Sequence, residues 1–198
     1  MREIWVTSDH HLGHGNIVDF AKRPTTRAQH TEFLTDRWNE RVQPGDKVYH
    51  LGDFTLNGPE DAARYFRGLN GHIYILGNHF HHDRRWLPPD FDNYEYESKN
   101  GLIRILYPIS VIHPRIEIAG VRVPHIVLCH YPFRRWDRSH YGSWHLYGHT
   151  HQTTNPPDPG NFSLNVGVDA WDYYPISLET VVTEMLRRGW HEGWREHE

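Results

Sequence analysis

One cysteine, Cys129, is all that 198 residues supply, so no disulfide can close within the chain and a cysteine-based zinc site is excluded. Long apolar runs are missing as well. No stretch reaches membrane-spanning length, and the opening Met1-Arg2-Glu3-Ile4-Trp5 has no apolar segment of the secretory kind. A cytoplasmic location with no membrane partner is the expectation. Neither sign of charge dominates. The formal charge of −4 excludes a global attraction to nucleic acid or to an anionic membrane, and leaves room only for a local basic patch. Internal repeats and low-complexity segments are absent too. The 37% hydrophobic and 23% charged residues are those of a globular protein. The length fits one domain over residues 1–198, with a polar tail over about 189–198.

What the sequence has in excess is histidine, 18 residues of it. Histidine is the commonest metal ligand and the side chain that titrates near neutral pH. A metal site needs only a handful, so about half of them read as surface residues without a task; His191 and His197 in the tail are examples.

Patterning gives an α/β chain. Ile4 to Thr7 reads as a buried strand running into Ser-Asp. After Pro24-Thr25-Thr26, which offers an N-cap threonine, Leu34, Trp38 and Val42 repeat at helical spacing until Pro44-Gly45. Lys47 to Leu51 is a second strand. Pro59 opens a second helix with Ala62, Ala63, Phe66 and Leu69 on one face, and His72 to Leu76 is a third strand. This alternation predicts parallel pairing with right-handed crossovers. Beyond Pro88-Pro89 the pattern becomes strand-rich. Tyr94 to Lys99 alternates into Asn100-Gly101, a type I′ hairpin signal with Leu102 to Leu106 as the return strand. A further pair turns at Ala119-Gly120, its second strand running through Ile126 to Cys129-His130. Trp144 to Tyr147 and Phe162 to Val168 are two more strands. Leu178, Val181, Val182, Met185 and Leu186 form a last helical stripe capped by Ser177.

Metal-type residues recur in the loops that follow these strands: Asp9-His10-His11, Gly52-Asp53, Gly77-Asn78-His79, His130 and Gly148-His149-Thr150-His151. In open α/β sheets ligands bind beyond the carboxyl ends of the strands, so these loops are expected to converge. Imidazole, carboxylate and amide donors without thiolate suit Mn, Fe, Zn, Ni or Co rather than a calcium cage. Asp9, His11, Asp53, Asn78, His130, His149 and His151 are too many for one tetrahedral ion. They suit two divalent ions roughly 3.5–4 Å apart that share a carboxylate. Two such ions outweigh two carboxylates in charge, so the pocket would attract phosphate although the whole chain is acidic.

The order Asp-x-His, Gly-Asp, Gly-Asn-His, His, Gly-His-x-His resembles the calcineurin-like metallophosphoesterase superfamily. SDHHLGHGNIVDFAKRP, HYPFRRWDRSHYGSWHLYGHTH and NVGVDAWDYYPISLE are similar to a small single-domain subgroup of bacteria and phages, and the likeness spans nearly the whole chain. It implies a four-layer α/β-β/α sandwich with two mixed sheets. Asp9, His11, Asp53 and His151 would hold one metal, and Asp53, Asn78, His130 and His149 the other, with Asp53 bridging. Manganese is the first expectation for both. The implied activity is phosphoester hydrolysis, on a diester, by in-line attack of a hydroxide shared by the ions, with His79 as general acid. The family motif continues Gly-Asn-His-Asp, whereas Phe80 stands here, followed by His81, His82 and Asp83. Asp83 or another carboxylate would then have to orient His79.

Around the pocket, Asn16, Arg134 and Arg135 are candidate phosphate contacts, with solvated arginines as the competing reading. Tyr131 and Trp136 could stack a ring. His10 and His14 flank the first motif, either behind the ligands or in solvent. The expected partner is a phosphoester small molecule or nucleotide. Two rival functions remain: a nuclease on DNA or RNA ends, for which Arg84-Arg85-Trp86 and Arg134-Arg135-Trp136 are basic-aromatic pieces, and a catalytically silent binding module on the same fold. An amide or ester hydrolase is a third. The sequence leaves the oligomeric state open.

Overall fold

Strand β1 (Ile4–Thr7) pairs in parallel with β2 (Lys47–His50), and β2 with β3 (His72–Leu76). Between them run α1 (Asn16–Phe20), α2 (His30–Arg41) and α3 (Pro59–Gly68). The computed structural model describes residues 2–77, 82–87, 96–156 and 158–196. β5 (Gly101–Leu106) extends this sheet in parallel, while β4 (Tyr96–Ser98) and β12 (Ile176–Ser177) close its two edges in antiparallel pairing. The order is β12-β1-β2-β3-β5-β4.

A second sheet, ordered β11-β10-β9-β6, is built from β6 (Ile109–Ile112), β9 (Ile126–Cys129), β10 (Trp144–Tyr147) and β11 (Ser163–Asn165). Its β9, β10 and β11 are parallel and only β6 is antiparallel. The chain is therefore α/β with two mixed sheets. The strand-rich second half is not mainly hairpins: its central strands repeat the parallel arrangement of the first half.

Alternation along the strands decides which way each side chain faces. Trp5, Val48, Ile73 and Ile75 pack with Leu34 and Trp38 of α2 and Ala62 and Phe66 of α3. Val6, Tyr49 and Leu106 pack instead with Ile126, Leu128, Leu146 and Leu164 of the second sheet and with Val181, Val182 and Met185 of α4 (Leu178–Arg187). Burial on both faces is what parallel strands require. No described helix is long and apolar enough to cross a membrane.

Four local expectations need correction. The 96–106 hairpin turns at Lys99-Asn100, since Ser98 pairs with Gly101. Neither turn residue has positive φ, so it is not type I′; the Asn100 side chain instead accepts the Gly71 N–H at 2.7 Å. The Ala119-Gly120 turn does have φ of 51° and 77°. It joins only β7 (Glu117–Ile118) to β8 (Val121–Arg122), a two-stranded sheet separate from β9. No threonine caps α2, whose N-cap position is Gln29; Thr26 makes a turn before it. Finally, the polar tail is anchored: Trp190 is buried, donates its indole N–H to Gly142 O at 2.7 Å and meets Trp144 edge-on.

Asp46 fastens the start of the first sheet. Its carboxylate accepts from Glu3 N–H, Gln43 N–H and the Trp5 indole, each at 2.9 Å. Burial pushes this carboxyl up, but the bonds from Gln43, Glu3 and Trp5 outweigh it and hold it below the usual carboxylate range. A depressed folded-state value stabilises the fold above the unfolded carboxylate pKa, and that contribution disappears as pH falls through the depressed value. Asp46→Ala should therefore cost about 2–3 kcal/mol in urea unfolding at neutral pH. The gap to wild type should narrow as the medium is made more acid than about pH 4. A gap indifferent to pH would rule out this role.

Candidate metal centre

The parallel strands end on one side, and their loops are stitched together by backbone bonds. Asp9 N–H reaches Gly52 O at 3.1 Å and His11 N–H reaches Asp53 O at 3.0 Å. Gly148 N–H reaches His130 O at 3.0 Å, and Val168 N–H reaches Ser8 O at 3.1 Å, joining the loops of the two sheets. Asp9, His11, Asp53, His149 and His151 all hold left-handed backbone, with φ of 64°, 50°, 53°, 70° and 49°. Such conformations cost a non-glycine residue on the order of 1 kcal/mol each and collect at functional sites, where the surrounding bonds enforce them.

Among the described residues two groups of donor atoms result. Asp9, His11 and His151 each bring one donor within 4.8 Å of the others, and so do Asp9, Asp53 and His130. Asp53 Oδ2 lies 3.5 Å from His11 Nε2 and 3.4 Å from His130 Nε2. It thus stands between two histidines expected to serve different ions, although Asp9 is the member common to both groups. His130 Nδ1 is 3.0 Å from Leu51 O. A carbonyl can only accept, so Nδ1 carries a proton there, and Nε2 is the nitrogen that faces Asp53. The exposed His149 belongs to neither group, but its ring centroid is 5.2 Å from that of His130 and its N–H is bonded by both Asp9 oxygens at 3.0 Å. Asn78 and His79 lie outside the described residues.

The electrostatics of this cluster favour a cation. Burial raises the Asp9 carboxyl, and the Asp53 charge adds to this against the lowering pull of His130 and His151. Burial and then the Asp53 charge push Asp83 up to about 7 despite its hydrogen bonds. For His130, burial alone would lower the imidazole; its bond to Asp53 and the charges of Asp9, Asp53 and Asp83 outweigh that and raise it to about 9. Two buried carboxylates, Asp9 and Asp53, with the imidazoles of His11, His130 and His151 and no thiolate, form a donor set that fits divalent cations of the Mn to Zn series.

Other sequence candidates fall elsewhere. Asp83 accepts from Asp53 N–H at 2.9 Å, Phe54 N–H at 3.1 Å and the Trp86 indole at 2.8 Å; it holds the Asp53 loop, and these bonds occupy both of its oxygens. Arg134 and Arg135 line a 520 Å³ cavity with Trp136, Phe162, Trp194 and Glu196, and none of the six described candidate ligands lines it. Arg135 pairs there with Glu196. Asn16 is exposed at the start of α1. His10 is fully buried, its Nδ1 3.0 Å from His50 Nε2 and its ring edge-on to Trp38, so the solvent reading is wrong for it. Half-buried His14 has its ring centroid 6.1 Å from that of His11.

Sequence reasoning missed three things. Phe20, 76% exposed, sets its ring edge-on to His151; an exposed aromatic in a five-residue helix gave no pattern to read. Asp169 bonds His151, and Gly167 faces Asp9; both sit in the NVGVD stretch. A methyl at Gly148 would collide with Ser8 Oγ and Asp9 Oδ2, and one at Gly167 would come within 2.8 Å of Asp9 Oδ2. Gly148→Ala should thus displace Asp9 and cost about 1–3 kcal/mol. Thermal unfolding with and without Mn²⁺ checks this: wild type should gain stability from the ion and the variant should not. An undiminished gain in the variant would show that Asp9 needs no such space.

No protein-family model matches the chain. It is similar to an uncharacterized protein of Methanocaldococcus jannaschii, 26% identical over 96% of this chain and 94% of that protein. It is also similar to the gene 66 proteins of two mycobacterial phages. The D29 protein is 28% identical, covering 89% of this chain and 93% of its own. The L5 protein is 25% identical, covering 86% and 88%. Among solved structures, a protein of unknown function from Aquifex aeolicus superposes with a TM-score of 0.61 at 23% identity, over 92% of this chain and 99% of that one. That likeness establishes a shared fold.

Proposed function

We propose that this chain is a two-metal phosphoesterase of the calcineurin-like type, acting on a phosphodiester, with its two mixed sheets forming the inner layers of a four-layer α/β-β/α sandwich. The observation that carries the reading is the convergence of Asp9, His11, Asp53, His130 and His151, from separate loops, into two donor groups that share Asp9. Manganese is the proposed ion, with Fe, Zn, Ni and Co as alternatives of the same donor preference. Bound there, such ions supply Lewis acidity toward phosphoryl oxygens and an activated water as nucleophile.

The protein's own part is to hold the donors in place. Asp53 lies between His11 and His130, and Asp83 holds the Asp53 backbone from below. Leu51 O fixes the His130 tautomer. Asp9 is seated by His149 N–H and by the space left at Gly148 and Gly167. At the rim, Phe20 against His151 and Tyr131 against His149 offer flat apolar surface to a substituent on the ester. His79, assigned from sequence, protonates the departing oxygen.

Purified protein with Mn²⁺ should hydrolyse bis-p-nitrophenyl phosphate, and Asp53→Asn should lower kcat by roughly 10²-fold or more. Absence of hydrolysis with each of the five metals would leave the silent binding module as the better account. His79→Ala should reduce turnover of alkyl diesters by about 10²–10⁴-fold and spare p-nitrophenyl esters, whose leaving group needs no proton. Equal losses across a leaving-group series would remove His79 from that role.

A further inference from the structure

Behind His151 lies a buried ion pair that the proposed activity does not use directly. Asp169 sits in a short helical turn, Val168–Ala170, which the Val168 N–H bond to Ser8 O holds against the loop after β1. Its Oδ2 is 2.7 Å from His151 Nδ1. Arg23 grips the same carboxylate with two bonds, Nε to Oδ1 and Nη2 to Oδ2, both 2.8 Å. The Arg23 and Asp169 side chains are 0% and 1% exposed.

The other Arg23 donors reach Asp9 O at 2.7 Å, His10 O at 3.1 Å and His30 Nε2 at 2.8 Å. A guanidinium only donates, so His30 accepts at Nε2. One arginine thereby joins the loop of Asp9 and His11, the start of α2 and the carboxylate behind His151.

We propose that Arg23 and Asp169 are positioning residues for cation binding at the Asp9–His11–His151 group. Asp169 takes the Nδ1–H of His151 and leaves Nε2 as its only lone pair, while Arg23 fixes Asp169 and the Asp9 backbone in one frame. The inference rests on the metal reading above. The chemistry behind it is general. A metal-bound imidazole whose second nitrogen donates to a carboxylate is held in one tautomer and one orientation, and is made a stronger donor. A buried salt bridge, by contrast, is poor evidence of a stabilising purpose, because apolar packing serves stability as well or better. The pair lies where a positioning group is needed, and two of the three remaining Arg23 bonds go to the carbonyls of Asp9 and His10, within the loop that carries the ligands.

Two measurements test this without reading activity. Long-range ¹⁵N–¹H spectra of the imidazoles in the metal-free wild type, at a pH where they are neutral, should show the His151 proton on Nδ1; the resonance is assigned by its loss in His151→Asn. Calorimetric titration with Mn²⁺ and with Zn²⁺ should show Asp169→Asn binding about 10–100-fold more weakly than wild type. Arg23→Lys, which keeps charge but loses the two-pronged grip, should shift affinity in the same direction. A proton found on Nε2 in wild type overturns the proposal even if neither variant folds. So do variants that melt earlier but bind as tightly, since that is the mark of a structural staple. A wild type that binds no divalent ion overturns the metal reading and this inference with it. Intact wild-type binding with unchanged variants overturns this inference alone.

Discussion

Three carboxylates, Asp9, Asp53 and Asp83, are buried within one cluster of loops, and the rest of the architecture is arranged around their mutual repulsion. In a low-dielectric setting like charges this close cannot all persist without compensation. Part of the compensation is visible: backbone N–H groups of His149, Asp53 and Phe54 point at these oxygens. Another part is the proton that His130 holds up to about 9. The two sheets contribute by bringing strand ends to one edge, so that each loop offers its donors to the same small volume. Both cores, one under α2 and α3 and one between the sheets and α4, serve to keep that edge in register.

Much of this was legible in the sequence because the signals were local and repeated. Each short apolar run ended in a polar loop, and the runs became β1, β2, β3 and β10 with boundaries within a residue or so. Five of the seven candidate ligands, Asp9, His11, Asp53, His130 and His151, fall in the two donor groups. Where the reading failed, a nonlocal partner decided. Asn100-Gly101 looked like the turn pair, but the turn falls one position earlier, at Lys99-Asn100, with the Asn100 side chain accepting from Gly71. For His10 the sequence left a place behind the ligands or in solvent open, and His50 and Trp38 enclose it.

The role of Asp83 shows the same limit. Its position a few residues beyond His79 suggested a partner for that histidine, because only sequence distance was available. In space its carboxylate holds the backbone of Asp53, 30 positions earlier, while His79 lies outside the described residues. Arg134 and Arg135 were read by charge and by closeness to His130; they line a different cavity, where Arg135 pairs with Glu196.

The C-terminal segment has a consequence for how the molecule can be shortened. Its composition reads as expendable, yet Trp190 covers Trp144 and bonds the Gly142 carbonyl just ahead of β10, and Trp194 packs edge-on against Phe162 ahead of β11. β10 in turn delivers Gly148 and His149 to the loop cluster. Trimming the chain before Trp190 would open a wet gap at the far end of the strand whose other end carries the ligands, so the boundary of the folding unit lies past the last helix, not at its end.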